Sequence, residues 1–373
     1  MRFGRCAVAV LTMAAIVGVG AGTCGQSILS VCDYRPPESH LAALSLQGSF
    51  LWFDGPYFDD RTRSLTARAA GDYSLLVSAD TSGHELAALA EVRVANGAWS
   101  YEFDGSGDVK TYIRGDVFAI GALEAAASDD GVEVDVTVGI GAGRFRDVTP
   151  LATAIRIQNA LLDIGVLIAP LEANSLLAVA QIVGEIGLTE EQRILSLTDT
   201  LVGTGLVLGN EVGVLGLLEV EQALNQVEGG RVCGQDLQVR VGVSAALLPA
   251  TSAGATGVTQ YNFAIAPDPI TQLTASVTGK LRLADLGRFA VDGSVAFTRR
   301  LPDGWAARAS YRVAIDNGWV AADETGSEHV LSGSLTTQII GSVALSVVGE
   351  LRYESGDEEI SSSLTVHLSY DLF

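Results

Sequence analysis

Apolar and polar residues alternate through the stretch 288–316. Phe289, Val291, Gly293, Val295 and Phe297 take every second position, with Asp292, Ser294 and Thr298 between them. After Pro302-Asp303-Gly304 the alternation resumes, with Trp305, Ala307, Ala309, Tyr311, Val313 and Ile315 set against Arg308, Ser310, Arg312 and Asp316. Successive side chains on a strand point to opposite faces, so the pattern predicts two strands, each apolar on one side and polar on the other.

The same rhythm covers most of the chain. N-terminal runs are predicted over 46–52, 65–77 and 86–94, then, after the tight-turn pair Asn96-Gly97, over 98–104, 109–125 and 132–142. Eight more follow at 237–247, 257–266, 271–283, 287–299, 303–316, 328–339, 342–354 and 359–372, joined by short turn-forming segments such as APDP, ADLG and LPDG. Between the two sets the period changes to that of a helix. Thr149 and Pro150 are read as the N-cap and first turn of one helix, 173–186 as a second, and Thr189 with Gln192 as the capping box of a third. Residues 201–218 are apolar except for Asn210 and Glu211, and read as a buried helix or a hairpin.

Alternation alone fits a soluble sandwich as well as a membrane barrel. Run length separates them. Many runs here exceed 10 residues, whereas soluble strands average about 5–6 and tilted membrane strands need about 9–11. Aromatic residues also gather near strand ends, including Trp99, Tyr101, Trp305, Tyr353 and Tyr370, as the girdles of a membrane barrel do. The face opposite the apolar one is strongly polar: Thr274, Ser276, Thr278, Lys280 and Arg282 on one run, Ser361, Ser363, Thr365, His367, Ser369 and Asp371 on the last. The fold class that follows is all-β: an antiparallel transmembrane β-barrel of about 12–14 strands with a helical insert between strands. The chain divides into a signal peptide (1–25), a periplasmic leader (26–43), N-terminal barrel strands (44–146), the helical insert (147–235) and C-terminal barrel strands (236–373).

The final strand ends on Phe373, one position out of step with the apolar set Leu364, Val366, Leu368, Tyr370 and Leu372. In this ending the chain resembles bacterial outer-membrane β-barrel proteins. The stretch Gly139-Ile140-Gly141-Ala142-Gly143-Arg144, followed by Asp147-Val148-Thr149-Pro150-Leu151, is similar to uncharacterised porin-like barrels that carry a helical insertion. The resemblance implies an outer-membrane location, contact with outer-membrane lipid, and recognition of the C-terminal strand by the barrel assembly machinery. With both termini periplasmic the strand number is even, and reading Asn96-Gly97 as a hairpin gives fourteen. The insert then lies on the periplasmic side, as a docking site for a periplasmic partner or as a self-packed unit.

Composition narrows the function. Mean hydropathy is +0.32 and the formal net charge −21, so an acidic chain of this kind is a poor partner for nucleic acid. Met1 to Gln26 has the charged start (Arg2, Arg5), short apolar run and small-residue exit of a secretory signal. Export would place Cys32 and Cys233 in an oxidising compartment, where one bridge between them can form. The four histidines are scattered singly, so no metal site and no cofactor are expected. His84 beside Glu85 and His329 beside Glu328 read as strand-end residues, and no catalytic residue is assigned.

The candidate site is the lumen. Its expected lining includes Arg68, Arg114, Asp116, Lys280, Arg282, Asp292, Arg308, Arg312, Glu350 and Arg352. Two arrangements are open: facing rows of opposite charge in a wetted pore, or a network of pairs that fills the barrel. The functional expectation is a porin-like passive channel for small solutes. The alternatives are an envelope protein, structural or adhesive, that uses the barrel as an anchor, and a soluble secreted β-sandwich.

Overall fold

The computed structural model describes residues 29–36, 38–53, 64–95, 98–129, 131–225, 230–248, 252–301, 304–317, 325–340, 343–355 and 360–371. The predicted signal peptide and Phe373 lie outside the described residues.

Among the described residues, fourteen strands run in chain order around one closed barrel. They are β1 (Glu38–Phe53), β2 (Ser64–Ala79), β3 (Ser82–Ala95), β4 (Ala98–Arg114), β5 (Val117–Ser128), β6 (Gly131–Asp147), β7 (Val232–Leu248), β8 (Ser252–Asp268), β9 (Thr271–Arg282), β10 (Phe289–Arg300), β11 (Trp305–Asn317), β12 (Thr325–Ile340), β13 (Val343–Glu354) and β14 (Ser361–Asp371). Each pairs antiparallel with the next, and β14 returns to β1 with Tyr370 opposite Leu46. The seam pairs Ser45 to Gly48 of β1 with Leu368 to Asp371 of β14 and so joins the two end strands, as a sheet surrounded by hydrocarbon requires.

The outward face follows from the alternation. Val136, Val138 and Ile140 on β6, and Leu237, Val239, Val241 and Val243 on β7, are all exposed, while Asp135, Thr137, Gln238 and Arg240 between them are buried. In water this would be an inverted protein. In a bilayer it is the expected order. Trp99 and Tyr353 stand exposed towards one rim and Trp305 towards the other. No helix among the described residues is long and apolar enough to cross a membrane.

Helices α1 (Thr149–Asp163), α2 (Ala173–Gly184), α3 (Glu190–Gly203) and α4 (Gly213–Asn225) form the insert between β6 and β7. Leu151, Ala154, Ile155 and Leu161 of α1 bury one face against α2 and α4. Thr189 caps α3, its Oγ1 accepting from the Gln192 amide while the Gln192 side chain accepts from the Thr189 amide. The insert, the start of β1 and the end of β14 share one rim, here called the near rim. Cys32, in a short turn at Val31–Asp33, is disulfide-bonded to Cys233 on β7 with Cα atoms 5.5 Å apart. Val31 and Tyr34 join the insert's core.

Several boundaries differ from the sequence reading. The first strand begins at Glu38, inside the expected leader. Residues 98–114 form one strand, and the break falls at Gly115-Asp116, inside the run predicted over 109–125. Gly105 and Gly107 fall on outward positions of β4 and blur its apolar rhythm. Strand β7 starts at Val232 rather than 237, since Gly234-Gln235-Asp236 carries no apolar side chain to mark the alternation, which the pairing with β6 continues through Gly234. Val148, not Thr149, occupies the N-cap of α1. The carboxylate of Asp147 accepts the Thr149 amide at 2.8 Å, and Thr149 Oγ1 instead accepts the Arg231 amide at 2.7 Å. Residues 201–218 are neither one helix nor a hairpin: they hold the end of α3, a short turn and the start of α4.

Candidate functional site: the barrel interior

The interior is built unevenly, and glycine on β6 is the reason. Gly139, Gly141 and Gly143 face inward and pair with Arg240, Gln238 and Asp236 of β7. A β-carbon on Gly139 would overlap the Val239 carbonyl, and one on Gly141 would meet the Phe118 ring and the Leu237 carbonyl. The β6–β7 pair can therefore approach and curl closely only because these positions lack side chains. The same absence opens a path for long side chains from neighbouring strands.

Charged residues use that path. Lys110 of β4 reaches past β5 and β6 to donate to Asp236 Oδ2 at 2.8 Å, and lies 3.7 Å from Asp108. Asp236 also accepts from Gln238 at 2.9 Å and from Asn262 at 2.8 Å. Arg240 donates to Gln260 at 2.9 Å and to Glu124 at 3.4 Å. Lys280 of β9 donates to Glu124 at 2.8 Å and to Asp135 at 3.0 Å. These contacts join β4, β5, β6, β7, β8 and β9 into one polar cluster, much of it shielded from water. Charges so placed are tolerated only when paired and hydrogen-bonded.

The opposite wall is open. Arg312 pairs with Asp292 at 2.7 Å, yet their side chains keep 62% and 42% of their surface exposed. Arg352 contacts Glu328 at 2.7 Å and Glu354 at 2.9 Å, also with substantial exposure. Arg308 is exposed, opposite Thr298 and Ser334, and Glu350 lies opposite Ser332 and Ser363. Arg282 ends β9 opposite Thr256, and Arg68 holds a position opposite Arg93.

Two expected lining residues are corrected. Asp116 sits in the β4–β5 turn at the near rim, 3.3 Å from Arg144. A bulge between Tyr112 and Arg114 then shifts the phase, so Arg114 is opposite Val117, which points outward. A single inserted residue exchanges the two faces of a strand. Asp236, Gln238 and Asn262 are central to the cluster and absent from the sequence-derived set. The alternation of the predicted run 237–247 already puts Gln238 on the inward face, and extending it back to Val232 would have added Asp236.

At the near rim, burial lowers the Arg156 guanidinium to about 10, with Arg300 and Arg231 adding to the effect. Among the described residues no group of three His, Cys, Asp or Glu is placed to hold a metal ion. Between the walls lies a cavity of about 330 Å³ whose lining includes Asp72, Asp104, Glu124, Glu133, Asp135 and Lys280.

No family model matches the chain, and no curated protein matches it. Solved structures with loosely similar shapes include the following. Acinetobacter baumannii outer membrane protein Omp33 aligns over 90% of this chain and 99% of its own, with 10% identity and a TM-score of 0.35. Pseudomonas aeruginosa OprD aligns over 92% and 98%, with 8% identity and a TM-score of 0.32. A loop-deletion form of the Vibrio cholerae outer membrane protein OmpT aligns over 90% and 100%, with 8% identity and a TM-score of 0.33.

Proposed function

We propose that this protein is a passive channel of a bacterial outer membrane, carrying small solutes through a lumen that is packed on one wall and wet on the other. The near rim with its helical insert faces the periplasm, in keeping with both barrel ends of the chain lying there. The observation that carries the reading is the exposure of the Arg312–Asp292 pair inside a closed barrel whose outward face is apolar. Charged side chains that keep about half of their surface accessible inside a barrel imply water beside them. Fourteen strands also enclose more space than side chains fill.

The buried cluster around Asp236 favours a second reading, in which the barrel only anchors an envelope protein. Planar-bilayer recording of the purified protein separates the two. The channel reading expects stepwise conductance that scales with salt concentration. A barrel that inserts and stays silent would leave the anchor.

A further inference from the structure

The cavity in the lumen is lined by more acids than bases. Its lining brings Asp72 of β2, Asp104 of β4, Glu124 of β5, and Glu133 and Asp135 of β6 around one ammonium, that of Lys280. Lys280 is already shared between Glu124 and Asp135. Asp72, Asp104 and Glu133 are exposed, and among the described residues the one hydrogen bond that reaches this trio comes from a neutral donor, Ser244 Oγ to Glu133 Oε1 at 3.0 Å. Asp135 adds an independent sign. It is one of the lining residues; its side chain is 7% exposed, its Oδ2 accepts from Lys280, and its buried Oδ1 has no hydrogen-bond partner among the described residues. A buried carboxylate oxygen left without a donor calls for one from a visitor.

The occupant's chemistry follows from spacing. The five carboxylates come from four strands around the wall, and no three of them cluster closely enough to hold a metal ion. The void is of the size that holds a small organic ligand. Dispersed acids around such a space suit an extended cation whose ammonium groups are several bonds apart.

We propose that this cavity is a binding site for small organic polycations, such as aliphatic diamines, on their way through the lumen. The proposal deepens the channel reading and rests on it for its physiological sense. The site is nearer the far rim, since Glu124 and Glu133 flank the β5–β6 turn.

The test uses the full-length protein in detergent micelles. Putrescine and succinate, matched in length and opposite in charge, are titrated calorimetrically at low salt. Putrescine should bind and succinate should not. The Asp72→Asn/Asp104→Asn/Glu133→Gln variant should bind putrescine about tenfold more weakly or worse. All three positions are exposed, so the variant should fold; Asp104→Asn alone gives a smaller loss in the same direction. Equal binding of the two ligands, no binding of putrescine, or a triple variant that binds like the parent would each overturn the site. Reversal potentials across a salt gradient then separate this inference from the channel reading. A barrel that conducts without preferring cations defeats the site and keeps the channel. One that binds putrescine yet passes no current keeps the site and defeats the channel.

Discussion

Lys110 and Asp236 are 126 residues apart in the chain and 2.8 Å apart in the barrel, with 7% and 1% of their side-chain surfaces exposed. Neither could hold its charge there without the other. Lys110→Met should therefore destabilise the protein by about 3–5 kcal/mol, the range for stranding one member of a buried pair. Adding Asp236→Leu should recover much of that loss. Denaturant titration of refolded protein checks both. A double-variant loss equal to the sum of the Lys110→Met and Asp236→Leu losses would show that the pair is not coupled.

Gly139 should tolerate no side chain. Gly139→Val would place carbon atoms on the β7 backbone, where the Val239 carbonyl already sits, so the barrel should fail to close and should lose its heat-modifiable migration. Gly121, on β5, has open space where a β-carbon would go. Gly121→Ala should migrate as the parent does.

The Cys32–Cys233 bond spans 201 residues and ties the segment before β1 to the foot of β7. Cys32→Ser should change mobility on non-reducing gels. The variant should also be cut faster by protease within the insert, consistent with a loss of about 2–4 kcal/mol for a removed cross-link. Strand closure does not depend on the bond, so the barrel itself should survive. A cleavage pattern identical to the parent's would remove the clamp role.

Arg312 should behave oppositely to Lys110. Its pair with Asp292 is open to water, and exposed pairs contribute about 0–1 kcal/mol. Arg312→Ser should leave denaturant stability within about 1 kcal/mol of the parent while changing single-channel conductance. A large stability loss with unchanged conductance would place Arg312 in a packed wall.

The alternation at Phe289 to Phe297 and Trp305 to Ile315 was enough to predict β10 and β11, because the two-residue period is a property of the extended backbone itself. The same holds for the capping box at Thr189 and for the change to helical period after Asp147. These are interactions over a few residues, and the sequence states them directly. It could not place Asp236 beside Lys110, or set Asp72 and Asp135 around one cavity, since those meetings depend on how many strands close the barrel and on the register of each. Nor could it foresee that a bulge at Ile113 turns Arg114 outward while Gly139 lets β6 and β7 curl together. Which face was greasy is local chemistry; which charges meet across the lumen is decided only when the sheet closes.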